Sequence, residues 1–140
     1  MIELGDASLP PALILDAVRS GRLKHPGTAW HCCLEFYSVA TRLPAGLRLQ
    51  PATAWALLDD QIFGRFHVCD LPADTRVAFL RAAAADRVAG GRIHDAHIAE
   101  AGRLAGATTV VTDNPRHFAP LMRHAVQVVT TRDFANRMGL

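Results

Sequence analysis

Apolar positions along the chain follow two different spacings. In six stretches they recur every three or four residues, which is typical of amphipathic helices, and three short apolar or β-branched runs are typical of buried strands. Prolines and glycines at the ends of several stretches support these boundaries. Helices are therefore predicted at residues 10–20, 30–43, 51–63, 73–88, 93–105 and 132–138, and strands at residues 67–71, 108–112 and 126–131.

The order of these elements indicates the fold class. Strands that alternate with helices favour βαβ units, in which parallel strands are covered by helices. We therefore expect an α/β fold with helices on both faces of a mostly parallel sheet, in one domain that spans residues 1–140. Such sheets bind their ligands at the carboxyl ends of the strands, so acidic residues at those ends are the first candidates for a site.

Composition narrows the class of protein. Half of the 140 residues are hydrophobic and a fifth are charged, which excludes an intrinsically disordered chain. No apolar run reaches the roughly 18 residues that cross a bilayer, and the first residues do not resemble a secretory signal. The three cysteines lack the pattern of a disulfide framework. We therefore expect a cytoplasmic protein without membrane association, and its net charge of +2 does not by itself indicate nucleic-acid binding.

Glu35 lies within a mostly apolar helical stretch. It shares one narrow polar stripe with His31, Ser38 and Arg42, which stand at helical spacing. Two interpretations fit this stripe. It is either a solvated surface with weak pairing between its side chains, or the place where a carboxylate faces a cleft.

Asp95 and Asp113 stand where a parallel sheet binds ligands. Asp95 lies near the start of the fifth predicted helix, on the face that also carries Ile98. Asp113 directly follows the β-branched run TTVVT. The alternative roles are structural: Asp95 as a helix cap, and Asp113 as a turn residue before Asn114.

Three carboxylates at one sheet edge would repel each other unless a cation neutralises them. Oxygen ligands favour hard ions such as Mg²⁺ or Mn²⁺, which activate water and stabilise charge on a phosphoryl oxygen. A zinc site made of His94, His97 and His117 is the alternative, although the chain has no HExxH motif. No nucleophilic triad, phosphate-binding glycine loop or dinucleotide fingerprint is evident.

Three segments together resemble the PIN-domain family, and most closely the VapC-type toxins of bacterial toxin–antitoxin pairs. They are LEFYSVATR around Glu35, RIHDAHIAEAGRLAGA around Asp95 and TTVVTDNPRHF around Asp113. The separations of 60 residues from Glu35 to Asp95 and of 18 from Asp95 to Asp113 fit this family. The likeness extends from about Pro10 to the C-terminus.

The resemblance implies a three-layer sandwich around a mostly parallel sheet of four or five strands, and metal-dependent cleavage of RNA. Four acidic positions of the family hold Mg²⁺ or Mn²⁺, and a metal-bound water attacks the phosphodiester. Glu35 and Asp95 match the second and third positions, and Asp113 or Asn114 matches the fourth, with Thr112 ordering the turn. The resemblance also implies an antitoxin protein as partner, and we expect a homodimer.

Three arginines lie near these motifs and are candidates for binding RNA phosphates. The alternative is that they are surface residues that increase solubility. They are Arg42, Arg92 and Arg116.

The N-terminus departs from the family pattern, which opens with a buried strand that ends in Asp and leads into a helix. Asp6 is the candidate for this first metal ligand, but it stands only 29 residues before Glu35, fewer than we expect. The family's first strand and helix are therefore interpreted as shortened or missing at residues 1–9. Two further hypotheses follow: a catalytically impaired PIN-like module that binds RNA or a protein partner, and an unrelated α/β protein whose acids are caps and turn residues.

Overall fold

The computed structural model of the protein describes residues 9–140. Within this range, seven α-helices are interspersed with four strands of three residues each. The helices are α1 (Pro10–Arg19), α2 (Trp30–Arg42), α3 (Pro51–Leu58), α4 (Arg76–Ala85), α5 (Arg92–Leu104), α6 (Pro115–Phe118) and α7 (Thr131–Met138). The strands are β1 (Gly27–Ala29), β2 (His67–Cys69), β3 (Thr109–Val111) and β4 (Gln127–Val129).

The strands pair in two separate parallel sheets. β1 pairs with β2, so that Thr28 lies opposite Val68, and β3 pairs with β4, so that Val110 lies opposite Val128. Between residues 9 and 140 no strand pairing connects the two sheets. The mixed α/β class and the parallel pairing are confirmed, whereas the expected single sheet of four or five strands is not shown. The prediction for residues 1–8, including Asp6, lies outside the described residues.

Most predicted elements are present, with shorter boundaries. The segment predicted as one helix at 51–63 is α3 followed by a π-helical turn at Asp59–Phe63. The segment predicted at 73–88 begins with a 3₁₀ turn, Ala73–Thr75, before α4. Two elements were not predicted. β1 has only one β-branched residue, and residues 115–124 form helical turns although their two prolines indicate a loop.

Local chemistry sets the ends of the last helix. The hydroxyl of Thr130 accepts a hydrogen bond from the backbone N–H of Asp133, which satisfies one of the free donors of the first turn of α7. Gly139 ends the helix in the left-handed region, with φ of +66°. A residue without a side chain adopts this conformation at no steric cost. These signals explain why α7 follows β4 so closely.

The hydrophobic core nearest the candidate site lies between α5, the β3–β4 sheet and the turns at 115–124. Phe118, Leu121 and Val126 form its buried centre. Half-buried side chains of α5 and of both strands pack against this centre, namely Ile98, Ala99, Val110 and Val128. This packing fixes the start of α5 beside the loop that follows β3. Within residues 9–140, no helix combines the length and the apolar character needed to cross a membrane.

Candidate functional site

Asp95 reaches from α5 to α6. The helix begins at Arg92, and its N-cap residue is Gly91, so the alternative role of Asp95 as the cap is wrong. The half-buried carboxylate instead lies beside His117, with Oδ2 of Asp95 2.5 Å from Nδ1 of His117. Because an ionised carboxylate can only accept hydrogen bonds, Nδ1–H of His117 is the donor. Asp95 and His117 thus connect two elements that are 22 residues apart in the chain.

Asn114 joins the same cluster. Its side-chain amide lies 2.7 Å from Nδ1 of His117, on the nitrogen that also contacts Asp95. With its amide oxygen turned toward His117, Asn114 shares the single N–H with the carboxylate, and all three groups are satisfied. The backbone N–H of Asn114 donates to the hydroxyl of Thr112 at 3.1 Å, which orders the turn after β3.

Asp113 is directed to a different place. Its carboxylate accepts hydrogen bonds from the backbone N–H and the hydroxyl of Thr131, at 3.0 and 2.8 Å. Thr131 is the first residue of α7. Of the two residues that the sequence left open for the fourth ligand position, Asn114 contacts the group beside Asp95, and Asp113 holds the start of α7.

The polar stripe of α2 faces the start of α5. The imidazole of His31 stacks on that of His94, with ring centroids 4.6 Å apart and ring planes within 10°. Glu35, one helical turn beyond His31, is exposed, as is Arg42 farther along the stripe. Part of the stripe is therefore packed against α5, and Glu35 lies on the same face of α2 as the stacked histidine.

A further acidic residue stands at the end of β2. Asp70 accepts a hydrogen bond from the backbone N–H of Leu71 at 2.8 Å. Its carboxylate also lies 3.5 Å from Nε2 of His97 and 3.7 Å from the guanidinium of Arg76. His94 and His97, two of the histidines of the zinc alternative, therefore pack against other partners than His117 does.

The described residues do not form a complete site for a divalent ion. Within residues 9–140, no three His, Cys, Asp or Glu side chains lie close enough together to bind one metal ion. Asp95 and Asn114 offer two oxygen donors of the type that Mg²⁺ prefers. The position between these two side chains is occupied by Nδ1 of His117. The same finding argues against the zinc alternative within this part of the chain.

A groove of about 730 Å³ opens beside His117, between α4, α5 and residues 115–124. Its floor is mostly apolar and includes Phe79 and Leu121. Arg92 and Arg123 lie at the groove as well. Arg92 is one of the three arginines that the sequence indicated for RNA phosphates, whereas Arg42 and Arg116 are exposed outside this groove.

Ionisable groups near the groove are paired or desolvated. Glu100 accepts two hydrogen bonds from the guanidinium of Arg103, at 2.9 and 2.6 Å, and this pairing lowers the pKa of the Glu100 carboxyl. On α2, burial raises the pKa of the Cys32 thiol, and the same cause raises the pKa of Cys33 and Cys69. A raised pKa disfavours the thiolate, so these cysteines are poor candidates for nucleophilic chemistry.

No family model matches this sequence, and a search of curated proteins gives no match. The interpretation of the site therefore rests on its own geometry and on the three motifs. The resemblance to PIN domains stays a prediction.

The contact that sequence reasoning missed is the one between Asp95 and His117. His117 was considered only as a zinc ligand, within the segment PRHF. A signal for its actual position exists, since Pro115 favours the first turn of a helix and His117 stands three residues after Asn114. In one helical turn, such residues share a face.

Proposed function

We propose that this chain is a PIN-like ribonuclease, which hydrolyses RNA phosphodiester bonds with Mg²⁺ or Mn²⁺. The observation that best supports this proposal is the meeting of Asp95 with Asn114 directly after β3. Two oxygen-bearing side chains from separate motifs thus come together at the carboxyl end of a parallel strand, where α/β folds bind ligands. The proposal includes the three-layer sandwich of the family, with both strand pairs belonging to one central sheet.

The proposed ligands of the cation are Glu35, Asp95 and Asn114, with Asp6 at the first position. The stacking of His31 on His94 supports the inclusion of Glu35, because it directs the same stripe of α2 toward α5. The described arrangement is incomplete, so the proposal requires Glu35 and Asp6 to approach Asp95. Asp113 contributes indirectly by holding α7.

RNA would be bound through its phosphates. A guanidinium forms paired hydrogen bonds with phosphate oxygens, which makes Arg92 at the edge of the groove the first candidate. Arg42 and Arg116 are further candidates, since both are exposed. As partners we propose an antitoxin protein and a second copy of the chain, and as location the cytoplasm.

The direct test is incubation of the chain with a pool of structured and single-stranded RNA, with Mn²⁺ or with EDTA. Cleavage is expected only with Mn²⁺. Asp95→Asn should abolish it, because the amide lacks the negative charge that a cation needs, while Asp74→Asn, at an exposed carboxylate of a 3₁₀ turn, should cleave normally. Cleavage by a folded Asp95→Asn variant, or none by the folded wild-type chain, would contradict the proposal.

A catalytically impaired module that binds RNA or a protein partner is the second candidate. It is favoured by the finding that the described residues hold no group of three metal-binding side chains. Fluorescence anisotropy with labelled RNA separates the two functions for the RNA case. Saturable binding without turnover in Mn²⁺ would support the impaired module, and metal-dependent turnover would exclude it.

A further inference from the structure

His117 lies where a cation shared by Asp95 and Asn114 would have to bind. Its Nδ1 is 2.5 Å from Oδ2 of Asp95 and 2.7 Å from the side-chain amide of Asn114. A divalent ion bound by the same two groups would stand about 2.0–2.6 Å from each oxygen. The ring nitrogen and the ion would therefore occupy nearly the same point, and the two cannot be present together.

We propose that His117 is a latch, which holds Asp95 and Asn114 together in the metal-free protein and must turn away before a divalent cation can bridge them. This inference rests on the proposed function, because it assumes that Asp95 is a ligand of the cation. In the closed state, Nδ1–H donates to the carboxylate and partly offsets its charge. The contact keeps the two oxygen-bearing side chains close to each other without a metal ion.

The local structure allows the ring to move while the backbone stays in place. The next residue, Phe118, is 6% exposed and belongs to the buried core, so it fixes the short helix α6. The side chain of His117 is 32% exposed and borders the groove of about 730 Å³. A change of side-chain rotamer can therefore carry the ring into the groove, and exposed side chains make such changes rapidly.

A latch and a supporting residue predict opposite effects on metal affinity. If His117 supported the ligand geometry, as hydrogen-bond partners of metal ligands do, its removal would weaken binding. If His117 occupies the site of the ion, its removal frees both oxygens and strengthens binding. The direction of the change therefore decides between the two roles.

The experiment measures Mn²⁺ binding to the full chain from the electron paramagnetic resonance signal of the free ion. His117→Phe keeps a ring of similar size and removes the nitrogen that contacts Asp95. We expect it to bind Mn²⁺ about tenfold more tightly than the wild type, since a hydrogen bond to a charged group no longer has to be broken. His124→Phe, at an exposed histidine of the neighbouring turn, is the matched control and should leave the affinity unchanged.

The contact itself is tested without metal. In EDTA, urea unfolding of His117→Phe, Asp95→Asn and the double variant should show non-additive losses of stability, because both changes remove one contact. If His117→Phe does not fold, His117→Ala takes its place in both measurements. Additive losses would overturn the latch.

The outcomes separate this inference from the proposed function. Mn²⁺ binding that is equal or weaker in His117→Phe overturns the latch, while binding by the wild type that depends on Asp95 leaves the ribonuclease proposal intact. Absence of Mn²⁺ binding in every folded variant overturns both. Tighter binding in His117→Phe that is lost again in the double variant with Asp95→Asn supports the latch.

Discussion

Asp113 accepts hydrogen bonds from both the backbone N–H and the hydroxyl of Thr131, 18 residues later in the chain. These two residues follow paired strands, since Asp113 stands after β3 and Thr131 after β4. The carboxylate therefore joins the turn after one strand to the helix after the next. It also lies at the N-terminus of α7, where the helix dipole favours negative charge.

Asp113→Ala should therefore act mainly on stability. We expect a loss of about 1 kcal/mol in the free energy of unfolding, the usual cost of removing a carboxylate that caps a helix start. Thr131→Val should cost less, because it removes only the hydroxyl and keeps the backbone bond. Urea unfolding measures both changes. If Asp113→Ala kept full stability but lost all RNA cleavage, Asp113 would be a ligand and this assignment would be wrong.

Leu71 should be among the most costly residues to truncate. Its side chain is 2% exposed, and Leu71→Ala should lower the free energy of unfolding by about 2–5 kcal/mol, the range for buried leucines. Leu47→Ala is the matched control, because that leucine is 64% exposed and its truncation should change stability by no more than about 0.5 kcal/mol. Thermal or urea denaturation compares the two. Equal losses would show that the core is wrongly assigned.

The pair of Glu100 and Arg103 gives a pH dependence with a defined sign. Arg103 lowers the pKa of Glu100 below its ordinary value of 4.5 in the folded protein, so the unfolded chain binds the proton more readily. The contribution of the pair is therefore complete above pH 4.5 and is lost as the pH falls through the lower, folded-state pKa.

Glu100→Gln should consequently lower stability by about 0.3–0.5 kcal/mol at pH 7, the usual size for a partly exposed pair within one helix. The difference from the wild type should shrink steadily as the pH is lowered from 4.5. Unfolding curves across this pH range check the sign. A difference that grows toward acid would contradict the proposed cause.

Local signals were sufficient for much of the fold. The boundaries of α2, α5 and α7 follow from helical spacing and from prolines and glycines nearby, within one or two residues of the structure. β1 could not be predicted in the same way, because Gly27–Ala29 becomes a strand only through its pairing with β2, a partner distant in sequence. Pairing in two separate sheets likewise depends on contacts that no local pattern contains.

The candidate site shows the same division. The position of Asp95 at the start of α5 and of Asn114 after β3 followed from the sequence. The choice between Asp113 and Asn114 did not, because it depends on Thr131 for one residue and on His117 for the other. Side-chain direction at a turn is set by partners that fold against it, so a motif can locate the turn and still leave its ligand open.

The two strand pairs differ in how far apart their members stand along the chain. Gly27 finds His67 across 40 residues, whereas Thr109 finds Gln127 across 18. Closing the longer loop costs more chain entropy, at roughly 0.6 kcal/mol for each doubling of length. Contacts between nearer residues also form faster as a rule. The C-terminal pair, with α6 and the buried Phe118 between its strands, is therefore expected to assemble first and to give the N-terminal pair a surface on which to fold.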